Sequence, residues 1–185
     1  DKKAEQWVQL FNSKDLTGWH THPKNPGQWS VEDGCIVGKG KATSHLFTVK
    51  DDYQNFRYKF TAKISDKGNS GQYFRTKFGP GFPQGYEAQI NSTHSDPVRT
   101  GSLYNFVPIK ERLVEPDTWF TQEVIAEGPH IQILVNDKKV VDFVDKKNTY
   151  TKGCFAIQQH PPIPGGPDGE ITVKKVEVIE SPASK

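Results

Sequence analysis

Phe56-Arg57-Tyr58-Lys59-Phe60-Thr61-Ala62-Lys63-Ile64 alternates apolar and polar residues without a break. A period of two belongs to a strand, whose successive side chains point to opposite faces. Phe56, Tyr58, Phe60, Ala62 and Ile64 therefore share one face, and Arg57, Lys59 and Lys63 the other. Working outward, strand-like runs are expected at Trp29–Val31, Gly34–Gly38, Gly71–Thr76, Tyr86–Ile90, Ser102–Val107 and Thr121–Glu127. Others follow at His130–Val135, Lys139–Val144, Cys154–Gln159 and Glu170–Ile179. Turn chemistry separates them in Glu32-Asp33-Gly34, Lys67-Gly68-Asn69, Glu127-Gly128-Pro129 and Val135-Asn136-Asp137-Lys138. No window of twelve residues keeps a helical apolar stripe. Short strands at this spacing predict an all-β fold, a two-sheet antiparallel β-sandwich. Its core is expected to hold Phe56, Tyr58, Phe60, Ile133, Val135, Phe155 and Ile157.

The chain of 185 residues is long enough for one such domain, expected over residues 6–180, with 1–5 and 181–185 as flexible termini. Hydrophobic residues make up only 34%, so the aromatics, at 11%, carry much of the core. Lys and Arg (24) nearly balance Asp and Glu (22), and the basic residues form no run. Nothing in that balance steers the protein to nucleic acid, and no nucleic-acid partner is expected. A membrane span and a coiled coil are excluded on pattern. The chain opens Asp1-Lys2-Lys3-Ala4 and contains no Met. Trimming of an export signal accounts for this, as does the choice of start point. On the first account the protein is expected to be exported, to the periplasm, the cell surface or the medium.

Cys35 and Cys154 have no metal-ligand spacing. Each sits in an apolar run, Gly34-Cys35-Ile36-Val37 and Gly153-Cys154-Phe155-Ala156, so two buried free thiols are expected, with a disulfide as the alternative. Neither has a basic neighbour in sequence to favour a thiolate, and no catalytic role is expected.

The informative residues are polar ones on the wrong side of a strand. In Tyr86-Glu87-Ala88-Gln89-Ile90 the apolar residues share a face, so Glu87 and Gln89 stand together on the other. Gln158 and His160 likewise fall opposite Phe155 and Ile157, and Tyr73 shares a face with Arg75. Beside them run Gly68-Asn69-Ser70-Gly71 and Gly101-Ser102-Leu103-Tyr104-Asn105. Taken singly, each has an ordinary explanation. An alternating Glu/Gln pair is usually the solvated face of an antiparallel sheet. A strand-end His is usually a hydrogen-bonded surface residue, and an Arg after aromatics usually stacks or pairs. Their coincidence argues for a groove of amides, carboxylate, guanidinium and tyrosine, which suits the paired donors and acceptors of a sugar.

Other chemistries lack their signatures: zinc spacings, a P-loop, a dinucleotide fingerprint and a Gly-x-Ser-x-Gly elbow are missing. So is the Glu-x-Asp-x-x-Glu strand that would set two carboxylates on one face for glycoside hydrolysis. His20 and His22 alternate in Gly18-Trp19-His20-Thr21-His22 and would suit a shared metal, but no third ligand is evident.

Several strings share a known order and spacing. They are Leu10-Phe11-Asn12-Ser13-Lys14-Asp15-Leu16-Thr17-Gly18-Trp19, Trp29-Ser30-Val31-Glu32-Asp33-Gly34, and Gly68-Asn69-Ser70-Gly71 leading into Phe74-Arg75-Thr76. Gly85-Tyr86-Glu87-Ala88-Gln89-Ile90, Thr100-Gly101-Ser102-Leu103-Tyr104, Trp119, Val135-Asn136-Asp137, and Gly153 through Gln158 and His160 complete the set. Over roughly Val8 to Val178 the chain resembles the bacterial 3-keto-disaccharide hydrolase family, long catalogued as a domain of unknown function. Asn91 stands where that pattern has an Asp. The resemblance implies a concanavalin-like jelly roll, usually exported, acting on glycosides already oxidised to a ketone at C3.

A C3 ketone acidifies the C2 proton, so a base can form an enolate that expels the C1 leaving group, after which water adds back. This needs a base, a donor to the oxyanion and an acid. The expected acid/base pair is His160 and Glu87, with Arg75, Tyr104 and Asn69 as donors. Gln89 and Gln158 suit sugar hydroxyls, and Tyr73 joins them in the groove. No cofactor is assigned, and a divalent metal could replace the cationic donor. The expected partner is a carbohydrate, a 3-keto-glycoside or oligosaccharide. The alternative is a non-catalytic carbohydrate-binding sandwich.

Overall fold

The period-two stretch forms a strand whose burial alternates residue by residue from Asn55 to Ile64. It belongs to a computed structural model that describes residues 5–181. The strands in chain order are β1 (Val8–Gln9), β2 (Trp19–Thr21), β3 (Trp29–Glu32), β4 (Cys35–Lys39), β5 (Ser44–Thr48), β6 (Asn55–Ile64) and β7 (Ser70–Thr76). There follow β8 (Tyr86–Ile90), β9 (Phe120–Glu127), β10 (His130–Val135), β11 (Lys138–Val144), β12 (Cys154–Gln159) and β13 (Glu170–Ser181). One sheet runs β11-β10-β9-β6-β13-β4-β3, with β1 also on β13, and the other runs β2-β5-β12-β7-β8. Every pairing is antiparallel. The fold is the all-β two-sheet sandwich read from the alternation. Among the described residues no helix is long and apolar enough to cross a membrane.

Between the sheets lies an aromatic core. Phe155 of β12 is stacked between Tyr53 (ring centroids 4.1 Å) and Tyr58 (3.7 Å), with Phe56 edge-on at 4.8 Å. All the expected core residues are buried, Val135 being the most exposed at 5%. Two hairpins close through two-residue turns in left-handed conformation: Asp33 (φ 50°) and Gly34 (φ 73°), then Asn136 (φ 48°) and Asp137 (φ 65°). Their twist matches that of the flanking strands, the reason Asn, Asp and Gly occupy them.

Three strands have no alternating signature: β1, β2 and β5. β5 is buried on both faces, so Ser44-His45-Leu46-Phe47-Thr48 shows no solvent side to read. Conversely, Ser102–Val107 is a turn rather than a strand. Asn105 adopts φ 65°, and the amides of Phe106 and Val107 both reach Leu103 O, at 3.0 and 2.8 Å. Asn tolerates that conformation and ends the run.

Cys35 and Cys154 are both buried and free, which removes the disulfide alternative. Of the ends expected to be flexible, 1–4 and 182–185 lie outside the described residues. Glu5 pairs with Arg57 at 2.7 Å, and Ser181 ends β13 opposite Asn55, so these two residues belong to the fold.

Candidate functional site

The outer face of the five-stranded sheet carries a pocket of about 440 Å³. Its floor is Tyr73 of β7, Glu87 and Gln89 of β8 and Gln158 of β12. Asn69 and His160, just beyond strand ends, and Tyr104, from the 102–107 turn, line it as well. The pocket thus brings together all the expected site residues but one.

The exception is Arg75. β7 and β12 pair Tyr73 with Ala156 and Thr76 with Cys154, so β7 spends one residue more than β12 over this interval. The bulge puts Arg75 at φ 48° and breaks the parity that had placed it beside Tyr73. The guanidinium turns away from the pocket and is 2% exposed. It donates to Gln54 O (2.8 Å), Gly128 O (2.7 Å), Tyr150 O (3.2 Å) and Asn55 Oδ1 (3.4 Å). Arg75 is a cross-link between the sheets' ends, not a donor in the groove.

Glu87 faces Tyr73 directly across the β7–β8 ladder. It is half-buried at the pocket floor, and desolvation pushes its carboxyl up to about 8. A hydrogen bond from Tyr73 works against this rise, and the nearby Asp96 charge adds to it. His160 Nδ1 lies 2.8 Å from Pro161 O. A carbonyl only accepts, so Nδ1 carries the hydrogen of this contact, and Nε2 is the ring nitrogen left to accept a proton. The His160 ring meets His94 edge to face, centroids 5.3 Å apart.

The other polar residues are partly committed. Tyr104 donates its hydroxyl to Asp96 Oδ2 at 3.1 Å, while its backbone N–H binds Glu87 O at 2.9 Å. Gln89 donates to Val98 O at 3.1 Å, and Gln158 to the Tyr73 hydroxyl at 2.9 Å. Asn69 is 7% exposed, and its Oδ1 is buried without a partner. Asn91, in place of the Asp of the family pattern, sits at the centre of the next loop. Its Oδ1 accepts from His94 N and Arg99 Nη1, and its Nδ2 donates to Asp96 O and Val98 O, each at 2.9 Å. Its work is to shape the loop that delivers Asp96.

Asp96 and Phe82 line the pocket without having been singled out in the sequence. Asp96 is on an aperiodic loop, where parity says nothing. For Phe82 the available signal was an aromatic set in Gly79-Pro80-Gly81-Phe82-Pro83, a segment with no core to enter; it is 61% exposed. His20 and His22 lie against Phe78, at 4.4 and 5.3 Å between centroids. Among the described residues no group of three or more His, Cys, Asp or Glu could hold a metal ion.

A family model described as "3-keto-alpha-glucoside-1,2-lyase-like domain" matches residues 6–179. A curated Bacteroides thetaiotaomicron protein named 3-keto-disaccharide hydrolase is 25% identical over 173 residues. The match covers 76% of this chain and 59% of that protein, so the chain spans about three fifths of its relative's length. Among solved structures, a Parabacteroides distasonis protein named "putative glycosyl hydrolase" is 26% identical, with 96% of this chain and 95% of that one covered and a TM-score of 0.80. The carbohydrate binding module CBM66 of Bacillus subtilis shares the fold at 20% identity, with 92% and 99% covered and a TM-score of 0.69.

Proposed function

We propose, from the premise that this chain belongs to the 3-keto-alpha-glucoside-1,2-lyase-like domain family, that its pocket cleaves 3-keto-glycosides by elimination across C1–C2. The observation that carries the reading is that one pocket holds both Glu87, whose carboxyl is pushed up by burial, and His160, whose Nδ1 is taken by the Pro161 carbonyl. Burial holds Glu87 protonated near neutral pH, which makes it the acid. The Pro161 carbonyl leaves His160 with a free Nε2, which makes it the base.

The substrate's C2 proton passes to His160 Nε2, and the electron pair of that bond forms the enolate of the C3 ketone. As it collapses to a C1–C2 double bond, the C1–O bond breaks and the leaving oxygen takes the proton of Glu87. Water then adds at C1, giving one proton to the Glu87 carboxylate, while His160 returns its proton to C2. Both groups end as they began, and the net reaction is hydrolysis. With Arg75 drawn out of the groove, charge on the C3 oxygen falls to neutral donors. The amide of Asn69 is the best placed, because the Tyr104 hydroxyl is already given to Asp96.

The test compares a 3-keto-glucoside with the matched plain glucoside, with and without a chelator, for wild type, Glu87→Gln and His160→Ala. Wild type is expected to cleave only the keto substrate, and each variant to lose about 10²–10⁴ in rate. Near-normal rates in both variants overturn the assignment. A rate lost to the chelator assigns the cationic role to a divalent metal. The exposed Phe82 at the pocket favours a second reading, a non-catalytic carbohydrate-binding module. That reading prevails if wild type binds the keto sugar and never turns it over.

A further inference from the structure

Beneath the pocket floor, Gln158 Nε2 stands 3.2 Å from His45 Nε2 and 2.9 Å from the Tyr73 hydroxyl. An amide nitrogen only donates, so its two hydrogens are committed to these two partners. Tyr73 therefore receives a hydrogen bond from Gln158, and its own hydrogen is free for Glu87, directly opposite on β8. His45 must offer a bare Nε2 and carry its proton on Nδ1. The result is one directed chain across three neighbouring strands, pointing at β8: His45 accepts from Gln158, Gln158 donates to Tyr73, and Tyr73 has its hydrogen left to give to Glu87 opposite.

We infer that His45, outside the pocket, is a positioning residue that sets the direction of this chain and so determines that Glu87 receives a hydrogen bond from Tyr73. The inference rests on the role given to Glu87 above. Were His45 Nε2 protonated, Gln158 would have to turn its amide and present Oε1. That oxygen would accept the Tyr73 hydrogen, and Glu87 would lose its donor. In this direction the Tyr73 hydrogen is available to one Glu87 oxygen, which leaves the other to carry the acid's proton.

An apolar side chain would fill the His45 site at less cost. The ring is 2% exposed and packs against Tyr73, Phe82 and Phe47, at 4.8, 6.0 and 6.1 Å between centroids. Its Nδ1 is buried without a partner, an expense that Leu or Phe would avoid. What an imidazole supplies here is the acceptor at Nε2. Burial, and then the His160 charge, lower its pKa to about 3 and keep the ring neutral. Tyr73 is the other titratable group against it. Glu87 is faced by Tyr73, Asp96 and Tyr104, and by His160 in the same pocket.

The experiment follows the Glu87 carboxyl by ¹³C NMR through a pH titration of the full chain, in wild type, Tyr73→Phe, His45→Leu and His45→Gln. Losing a hydrogen bond to a charged group is expected to move the midpoint up by about one to two units in Tyr73→Phe and in His45→Leu. His45→Gln, which retains an acceptor, is expected to return it toward wild type. A midpoint unmoved by His45→Leu overturns the inference, whether or not Tyr73→Phe moves it. Should the His45 variants fail to fold, ¹⁵N shifts of the wild-type ring decide: an unprotonated Nε2 supports the chain's direction, and a protonated Nε2 overturns it. These readings need no turnover, so a protein inactive on 3-keto-glucoside would remove the proposed reaction and leave the positioning role standing.

Discussion

Glu87 lies across Gly71 of the neighbouring strand, where any Cβ would overlap its carboxylate. The absence of a side chain on β7 is therefore what seats the acid at the pocket floor. Gly71→Ala is expected to leave the sandwich folded and push the carboxylate out of place. A displacement of this kind costs about 10²-fold in rate. Steady-state turnover of a 3-keto-glucoside by the folded variant checks this, and an unchanged kcat/KM would contradict it.

Arg75 holds four acceptors in the space between the sheets' ends, three of them backbone carbonyls. Removing it leaves those part-buried carbonyls without their donor, each costing up to about 1–3 kcal/mol. Arg75→Ala is thus expected to destabilise the fold by about 3 kcal/mol or more in chemical denaturation. Whatever fraction stays folded is expected to keep its sugar affinity. A variant of native stability that no longer binds sugar would return Arg75 to the site.

The contrast between Arg75 and its neighbours marks where sequence reasoning reached. Glu87, Gln89 and Gln158 stand on regular strands, so parity alone placed them on the outer face, and the structure gathers them in one pocket. Arg75 is two residues from Tyr73, but a bulge lies between them, and one extra residue reverses every later side chain. His45 was out of reach for another reason: its strand is covered on both faces, so no alternation announces it. Asp96 depends on a loop folded around the Asn91 side chain by side-chain-to-backbone hydrogen bonds within a few residues, which leave no periodic pattern to read.

Protonation links the site to stability. The Glu87 carboxyl titrates near 4.5 in an unfolded chain and at about 8 in the fold. Below 4.5 both states hold the proton. Between these values the unfolded chain releases it first, so stability falls as pH rises toward 8 and levels above it. His45 acts from the other side. Its pKa falls from 6.5 to about 3, so stability is lost as pH drops below 6.5. The two slopes oppose each other between 4.5 and 6.5. Melting temperatures of wild type and Glu87→Gln across pH 4–9 isolate the first effect, since Gln does not titrate. The wild-type advantage is expected to shrink steadily up to about pH 8. A constant difference would mean that the carboxyl ionises as it does in water.

Phe82 is held at the pocket by a segment with little freedom. Gly81 N–H donates to Asn25 Oδ1 at 2.8 Å, and Gln84 O accepts from Thr76 Oγ1 at 2.6 Å and Lys77 N at 2.8 Å. The ring is 61% exposed, with its neighbours His45 and His160 at 6.0 and 5.9 Å between centroids. A large apolar face kept in water beside polar groups is suited to the C–H face of a pyranose. Burying a Phe side chain is worth about 1.5–3 kcal/mol. Phe82→Ala is therefore expected to weaken sugar binding by about ten- to a hundred-fold. The ring would touch the sugar equally before and during reaction, so the loss belongs in KM with kcat preserved. If kcat falls instead and KM holds, Phe82 serves to brace the His160 ring, and the sugar's platform lies elsewhere in the pocket.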